Sequence, residues 1–238
     1  MKIKGRNAVR EALRSGVKID KLMASHSNDK VLLDIIAIAR KNNVKVQLVD
    51  NRALDRECDN HQGIVAITSD FEYSTVDEIL SVAEDRCEPV FLLILDGVED
   101  PHNFGSIIRV AECLGVHGII IQKNRACPVT DTVAKVSAGA IEHMKIAKVT
   151  NINTEIEELK KRNIWVYACE LGGEDLDNAD LSGNIAIVMG SEGKGVSALT
   201  KKLCDGVVSM KMYGNVNSLN VSVATGIVLY EAVRKRKN

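Results

Sequence analysis

From residue 90 to residue 210 the chain repeats one pattern six times: a run of four to six mostly apolar residues, then a stretch with helical spacing. The runs fall at 90–95, 118–121, 146–149, 164–168, 185–189 and 207–210. Helices fit between and after them at 106–114, 131–138, 152–161, 197–203 and 219–234. Because the runs are continuously apolar and do not alternate, both faces of each strand must be covered. Helical connections make such strands run parallel, so the pattern predicts an α/β unit with a mostly parallel sheet and helices on both faces.

Residues 1–70 read as a separate small α/β unit. A helix over 7–15 carries Ala8, Val9, Ala12 and Leu13 on one face and stops at Gly16, a natural C-cap. Strands are expected at 19–24, 44–49 and 63–68, and helices at 29–41 and 53–58. Residues 71–88 read as a linker holding one short helix, opened by the capping-box pattern Thr75-x-x-Glu78. The remaining residues, 89–238, form the second domain.

A formal charge of −1 excludes a basic coat over the whole chain, so any nucleic-acid footprint must be local. Two places qualify. Lys2, Lys4, Arg6, Arg10, Arg14, Lys18 and Lys21 face only Glu11 and Asp20, and the chain ends in Arg234, Lys235, Arg236 and Lys237. Aromatic content of 3% leaves few platforms for stacking single-stranded bases. The six cysteines have no C-x-x-C pair and read as small reduced core residues. No histidine spacing matches a metal site, so none is expected. Without an apolar leader or a spanning run, a soluble cytoplasmic protein is expected.

Three stretches place small and polar residues directly after apolar strands, where open α/β sheets gather ligands. In LDGVEDPHNFGSIIRVAECLG, residues 95–115, Arg109 falls within an otherwise apolar helical turn. Such a guanidinium must meet an anion, reach solvent or pair with an internal carboxylate, while Asn103 can serve as a helix cap. In IVMGSEGKGVSAL, residues 187–199, Gly190, Gly193 and Gly195 allow close backbone approach, or form a simple turn. The dinucleotide-like spacing here lacks the acidic residue after the next strand, and Gly195 stands where a P-loop needs Ser or Thr. In SMKMYGNVNSLNVSVATGIVLYE, residues 209–231, Ser218 is a candidate N-cap and Asn220 lies at the start of a long helix.

Taken in order and separation, these stretches resemble the signature motifs of the SpoU (TrmH-like) RNA ribose 2'-O-methyltransferases. GRNAVREAL at 5–13 and HQGIVA at 61–66 resemble the substrate-binding domain of members that methylate large-subunit ribosomal RNA. The resemblance implies a trefoil-knotted, SPOUT-type catalytic domain behind a small L30e-like one, an exception to the rule against knots. It implies S-adenosylmethionine as cofactor, held by Gly190, Met210 and Leu219, with Gly193 and Gly214 giving clearance. It places Asn103, Arg109, Glu192, Ser218 and Asn220 at the reaction centre of a homodimer whose active sites draw on both subunits. The implied substrate is RNA, a guanosine of 23S rRNA first. The alternatives are a transfer-RNA ribose, an adenosine methylated for resistance, and non-catalytic RNA binding. One departure stands out: the family's usual Ile-Pro-Met triplet reads Met210-Lys211-Met212, which removes a rigid turn and adds a charge beside the cofactor loop. Met144 and Lys145 also stand where a proline is common.

Overall fold

The computed structural model describes residues 2–15, 19–27, 29–68, 71–216 and 218–236, in two compact units, Met1–Glu72 and Tyr73–Asn238. Gly16, Lys18 and Lys237 lie outside the described residues.

The first unit runs β1 (Lys2–Lys4), α1 (Arg6–Arg14), β2 (Ile19–Ser25), α2 (Lys30–Lys41), β3 (Lys45–Val49), α3 (Asn51–Asp55) and β4 (Ile64–Thr68). Its sheet order is β1-β4-β2-β3, with only β2 and β3 parallel. Val9 and Leu13 of α1 meet Leu32, Ile35 and Ile36 of α2 over Leu22 and Ile64 of the sheet. Asp29 caps α2 by accepting the Val31 amide at 2.9 Å.

The second unit runs α4 (Val76–Asp85), β5 (Phe91–Asp96), α5 (Pro101–Cys113), β6 (Gly118–Gln122), α6 (Asp131–Val136), β7 (Lys145–Val149), α7 (Ile152–Lys161), β8 (Trp165–Asp175), β9 (Ile185–Gly190), α8 (Ala198–Leu203), β10 (Gly206–Ser209) and α9 (Val221–Arg236). Its sheet, ordered β10-β8-β9-β5-β6-β7, is parallel at every pairing. Leu92 and Ile94 of central β5 join Ile79 of α4 and Ile156 and Leu159 of α7 in one cluster. Leu93 and Leu95, on the alternate face, are equally buried, which is why the run shows no polar positions.

Three elements differ from their expected form. Helix α4, expected inside a linker, has the full Thr75–Glu78 capping box and buries Ile79 in the core of the second unit. Helix α5 begins at Pro101, with Asp100 as its N-cap accepting the Asn103 amide at 2.8 Å, so Asn103 is not a cap. Strand β8 continues to Asp175, through a polar stretch.

Of the C-terminal basic run, Arg234, Lys235 and Arg236 are engaged with the protein itself. Lys235 donates to the carbonyl oxygens of Leu176, Asp177 and Ala179 at 2.6, 3.0 and 2.7 Å. Arg236 stacks 4.8 Å from the Phe91 ring centroid, and Arg234 pairs with Glu231 at 3.3 Å. These cations anchor a helix end and are not a free RNA footprint. In α1, by contrast, Arg10 and Arg14 have no ion pair among the described residues, and Arg6 pairs with Asp29 at 2.8 Å.

A buried histidine closes the start of β5. His117 Nδ1 accepts the Phe91 amide at 3.0 Å, so its proton sits on Nε2, which donates to Glu88 at 2.9 Å. Burial holds the imidazole below its ordinary value of 6.5, against the opposing pull of Glu88. The hydrogen bond from His117 likewise holds Glu88 below 4.5. Both folded values are depressed, so this stability is present above pH 6.5 and is lost as pH falls, first through His117 and then through Glu88. The urea midpoint is therefore expected to fall between about pH 7.5 and about pH 5.5. His117→Asn, whose amide oxygen accepts the same N–H without titrating, flattens the slope; an equally flat wild-type profile removes His117 from the account.

Candidate active site

Strand order reverses between β5 and β9, and the Cα register sets Asp96 beside Gly190 at the carboxyl ends of that pair. A crevice at such a reversal is the ligand position in open α/β sheets. A cavity of about 570 Å³ opens at the carboxyl end of β9, on the side of its neighbour β8, within the usual range for small-molecule sites. Its lining includes Met189, Gly190, Glu192, Gly193, Met210, Met212, Ser218, Leu219 and Asn220. All three residues expected to hold the cofactor, Gly190, Met210 and Leu219, therefore share one cavity.

The glycine loop is shaped by close backbone approach. A Cβ at Gly190 would lie 2.0 Å from the Gly195 carbonyl carbon and 2.2 Å from the Val196 nitrogen. No side chain fits there, because the loop folds back through a Ser191–Gly195 bridge. Gly195 has φ +64°, and a Cβ on it would strike Glu170, whose Oε2 accepts the Val196 amide at 3.0 Å. Glu170 thus ties the end of the loop to β8. Sequence reasoning missed it, since no pattern marks a carboxylate that receives an amide from a distant part of the chain. An added Cβ at Gly193 or Gly214 would meet nothing within 4 Å.

Beside the cavity, the three sequence stretches meet at one carboxylate. Glu192 Oε1 accepts the side-chain amides of Asn220 at 2.5 Å and Asn103 at 3.2 Å, and the Val221 amide at 3.4 Å. Asn220 Nδ2 also donates to Asn103 Oδ1 at 2.9 Å. Asn220 Oδ1 accepts the amides of Ser222 and Val223 at 3.0 and 3.4 Å. Asn220 is therefore the cap of α9, and Ser218 is not. Ser218 lines the cavity without a side-chain hydrogen bond among the described residues. Glu192 Oε2 likewise accepts none there, which leaves an open acceptor at the centre of the cluster.

Arg109 stands apart. It is exposed on α5, has no ion pair or side-chain hydrogen bond among the described residues, and lines neither the cavity nor the adjoining crevice of Asp100, Asn103 and Glu192. The internal-carboxylate option is not realised. Its neighbour Val110 belongs to a second, mostly apolar groove of about 680 Å³ with Val223, Ile227 and Tyr230 of α9, edged by Asp175, Lys211 and Glu231. Those three α9 side chains are 51%, 45% and 61% exposed.

Cys169 also borders the cavity, where burial pushes its thiol up to about 11 and keeps it protonated and unreactive. Of the six cysteines only Cys127 is buried, while Cys87 and Cys113 are exposed, so the expectation of core thiols holds poorly. Among the described residues no group of His, Cys, Asp or Glu is arranged to hold a metal ion, and no helix is long and apolar enough to cross a membrane.

A parallel α/β sheet with a glycine-lined cavity beside its reversal point, and an amide–carboxylate cluster on the rim, defines a small-ligand-binding enzyme scaffold. Comparison with known proteins makes the class specific. The SpoU rRNA methylase family matches residues 90–230, and the RNA 2'-O ribose methyltransferase substrate-binding domain matches residues 2–74. The chain therefore belongs to the SpoU family of RNA methyltransferases. It is 45% identical over 235 residues to YacO of Bacillus subtilis, assigned to the TrmH family of tRNA/rRNA methyltransferases, across 98% of this chain and 94% of that protein. An AdoMet-bound rRNA methyltransferase from Sinorhizobium meliloti has the same fold, with TM-score 0.71 and 25% identity over 98% of this chain and 86% of that one. So does the SpoU methyltransferase AviRb from Streptomyces viridochromogenes with AdoMet, with TM-score 0.72 and 23% identity over 99% and 90%.

Proposed function

We propose that this protein methylates a ribose 2'-hydroxyl of RNA, most specifically a guanosine of 23S rRNA, with S-adenosylmethionine as methyl donor. The observation that carries this reading is the meeting of Asn103, Glu192 and Asn220, from three separate chain segments, on the rim of a cavity lined by Gly190, Met210 and Leu219. The donor, when bound, supplies an electrophilic methyl group. The chain's own task is then to align a sugar oxygen with it.

The cavity suits the donor: Met189, Met212, Leu219 and Ala224 offer apolar walls, and the turn at Gly190 and Gly193 presents backbone instead of side chains. Asn103 and Asn220, fixed on Glu192 Oε1, orient the ribose, while Oε2 and the Ser218 hydroxyl remain to receive its hydroxyl groups. A guanidinium does not serve as a free base in proteins, so Arg109 acts through its charge. Its role is to clamp the adjacent phosphate and favour the alkoxide-like oxygen, whose proton passes to water. The need for a 2'-hydroxyl selects RNA over DNA.

Arg109 reaches a reaction centre through a homodimer. The mostly apolar α5–α9 groove beside it is the surface a second copy covers, so that Arg109 of one copy completes the site of the other. Residues 1–70 grip RNA, supported by Arg10 and Arg14 on one face of α1, which form no ion pair among the described residues, with 71–88 joining them to the catalytic residues 89–238. The knotted C-terminal threading and a cytoplasmic setting belong to the same proposal. Ribose-methylation mapping of total RNA from cells with and without the gene tests it. Loss of one 23S guanosine methyl group is expected; loss at a transfer RNA reassigns the substrate, and no loss overturns the activity.

A further inference from the structure

Lys211 lies between Met210 and Met212, which both line the cavity, yet its own side chain points elsewhere, to the end of β8. There it forms an ion pair with Asp175 and lies 4.0 Å from Asp177. Asp175 is a fixed anchor. Its side chain is only 16% exposed, its Oδ1 accepts the Asp177 amide at 3.1 Å, and the Leu176 amide donates to Ser209 at 3.0 Å. The turn that follows is held from α9 by the three carbonyl contacts of Lys235. By contrast residues 210–216 form no helix or strand. One partner of the pair is rigid and the other lies in irregular chain, so the pair chiefly restrains the irregular segment.

We propose that the Lys211–Asp175 ion pair is a latch that positions the methionine wall of the cavity, holding Met210 and Met212 ready for the cofactor. The proposal rests on reading that cavity as the methyl-donor site. Lys211 is a positioning residue: it does for the loop with charge what a proline does with a ring, restricting the backbone before the ligand arrives. A ligand that needs one loop placement binds more weakly in proportion to how rarely that placement is populated.

The test is calorimetry of S-adenosylmethionine binding to the full chain. Lys211→Met and Asp175→Asn are each expected to weaken binding by about tenfold. The double variant has no orphaned carboxylate, and is expected to be no weaker than either single one, because both remove the same restraint. Asp175→Asn with Lys211→Pro restores affinity to within about threefold of wild type. Wild-type affinity falls with added salt, and that of the proline variant does not. A double variant that binds like wild type overturns the latch, as do single effects that add. If wild type binds no S-adenosylmethionine, the donor-site reading fails by itself. The latch is then decided by amide hydrogen exchange at Met210 and Met212, which must quicken in Lys211→Met and slow again with proline.

Discussion

Glu192→Ala is expected to lower turnover by about 10²- to 10³-fold at saturating donor, the usual cost of losing a preorganised polar contact at a reaction centre. The exposed carboxylate holds two side-chain amides and one backbone amide at a single oxygen. Without it, Asn103 and Asn220 keep their mutual bond but lose the point that fixes both against the glycine loop. Only the long Val221 amide contact is part-buried among the bonds lost, so the urea midpoint is expected to fall only slightly, by about 1 kcal/mol or less of stability. Initial rates with labelled donor and a parallel denaturation curve measure both quantities. Wild-type kcat in the alanine enzyme would remove Glu192 from the site.

The larger effect belongs to Arg109. Arg109→Ala is expected to cost about 10³-fold or more in turnover, because in the proposed reaction its charge supports a developing alkoxide and the cluster offers no substitute. Arg109→Lys recovers little, since an ammonium does not reproduce a bidentate phosphate contact. The proposed homodimer adds a sharper expectation. Arg109→Ala and Glu192→Ala subunits, inactive alone, regain turnover when co-expressed, because one site of each mixed dimer combines an intact Arg109 with an intact Glu192. If the mixture stays inactive while mixed dimers are shown to form, each site is built within one chain.

Much of this architecture was legible because burial on both faces leaves a plain mark: the six strands of the second unit lie within a few residues of their apolar runs. The exceptions have physical causes. β1 is three residues of alternating lysine and isoleucine at a sheet edge, too short to show a period. The extension of β8 to Asp175 is stabilised by pairing with β10, not by apolar burial, so its sequence looks like loop. The early start of α5 was readable in Asp100-Pro101, but the helical period becomes visible only further on, and the cap was missed. At the site, the resemblance to the family's motifs pointed to Asn103, Glu192 and Asn220, and the structure joins them. The cap of α9 was misread because serine and asparagine both cap well, and only geometry shows which one does. The C-terminal cations were ambiguous for a similar reason, since charge does not reveal whether its partner is a carbonyl of the same chain.

α9 begins with Asn220 in the polar cluster and ends with Lys235 and Arg236 fastened to the turn after β8 and to Phe91. Its 16 residues make a strut of about 24 Å, pinned at both ends. Such a member cannot pivot when a large substrate docks. The Asn220 amide at its start keeps one position relative to the sheet, so adjustment to RNA is left to the irregular chain leading into the helix.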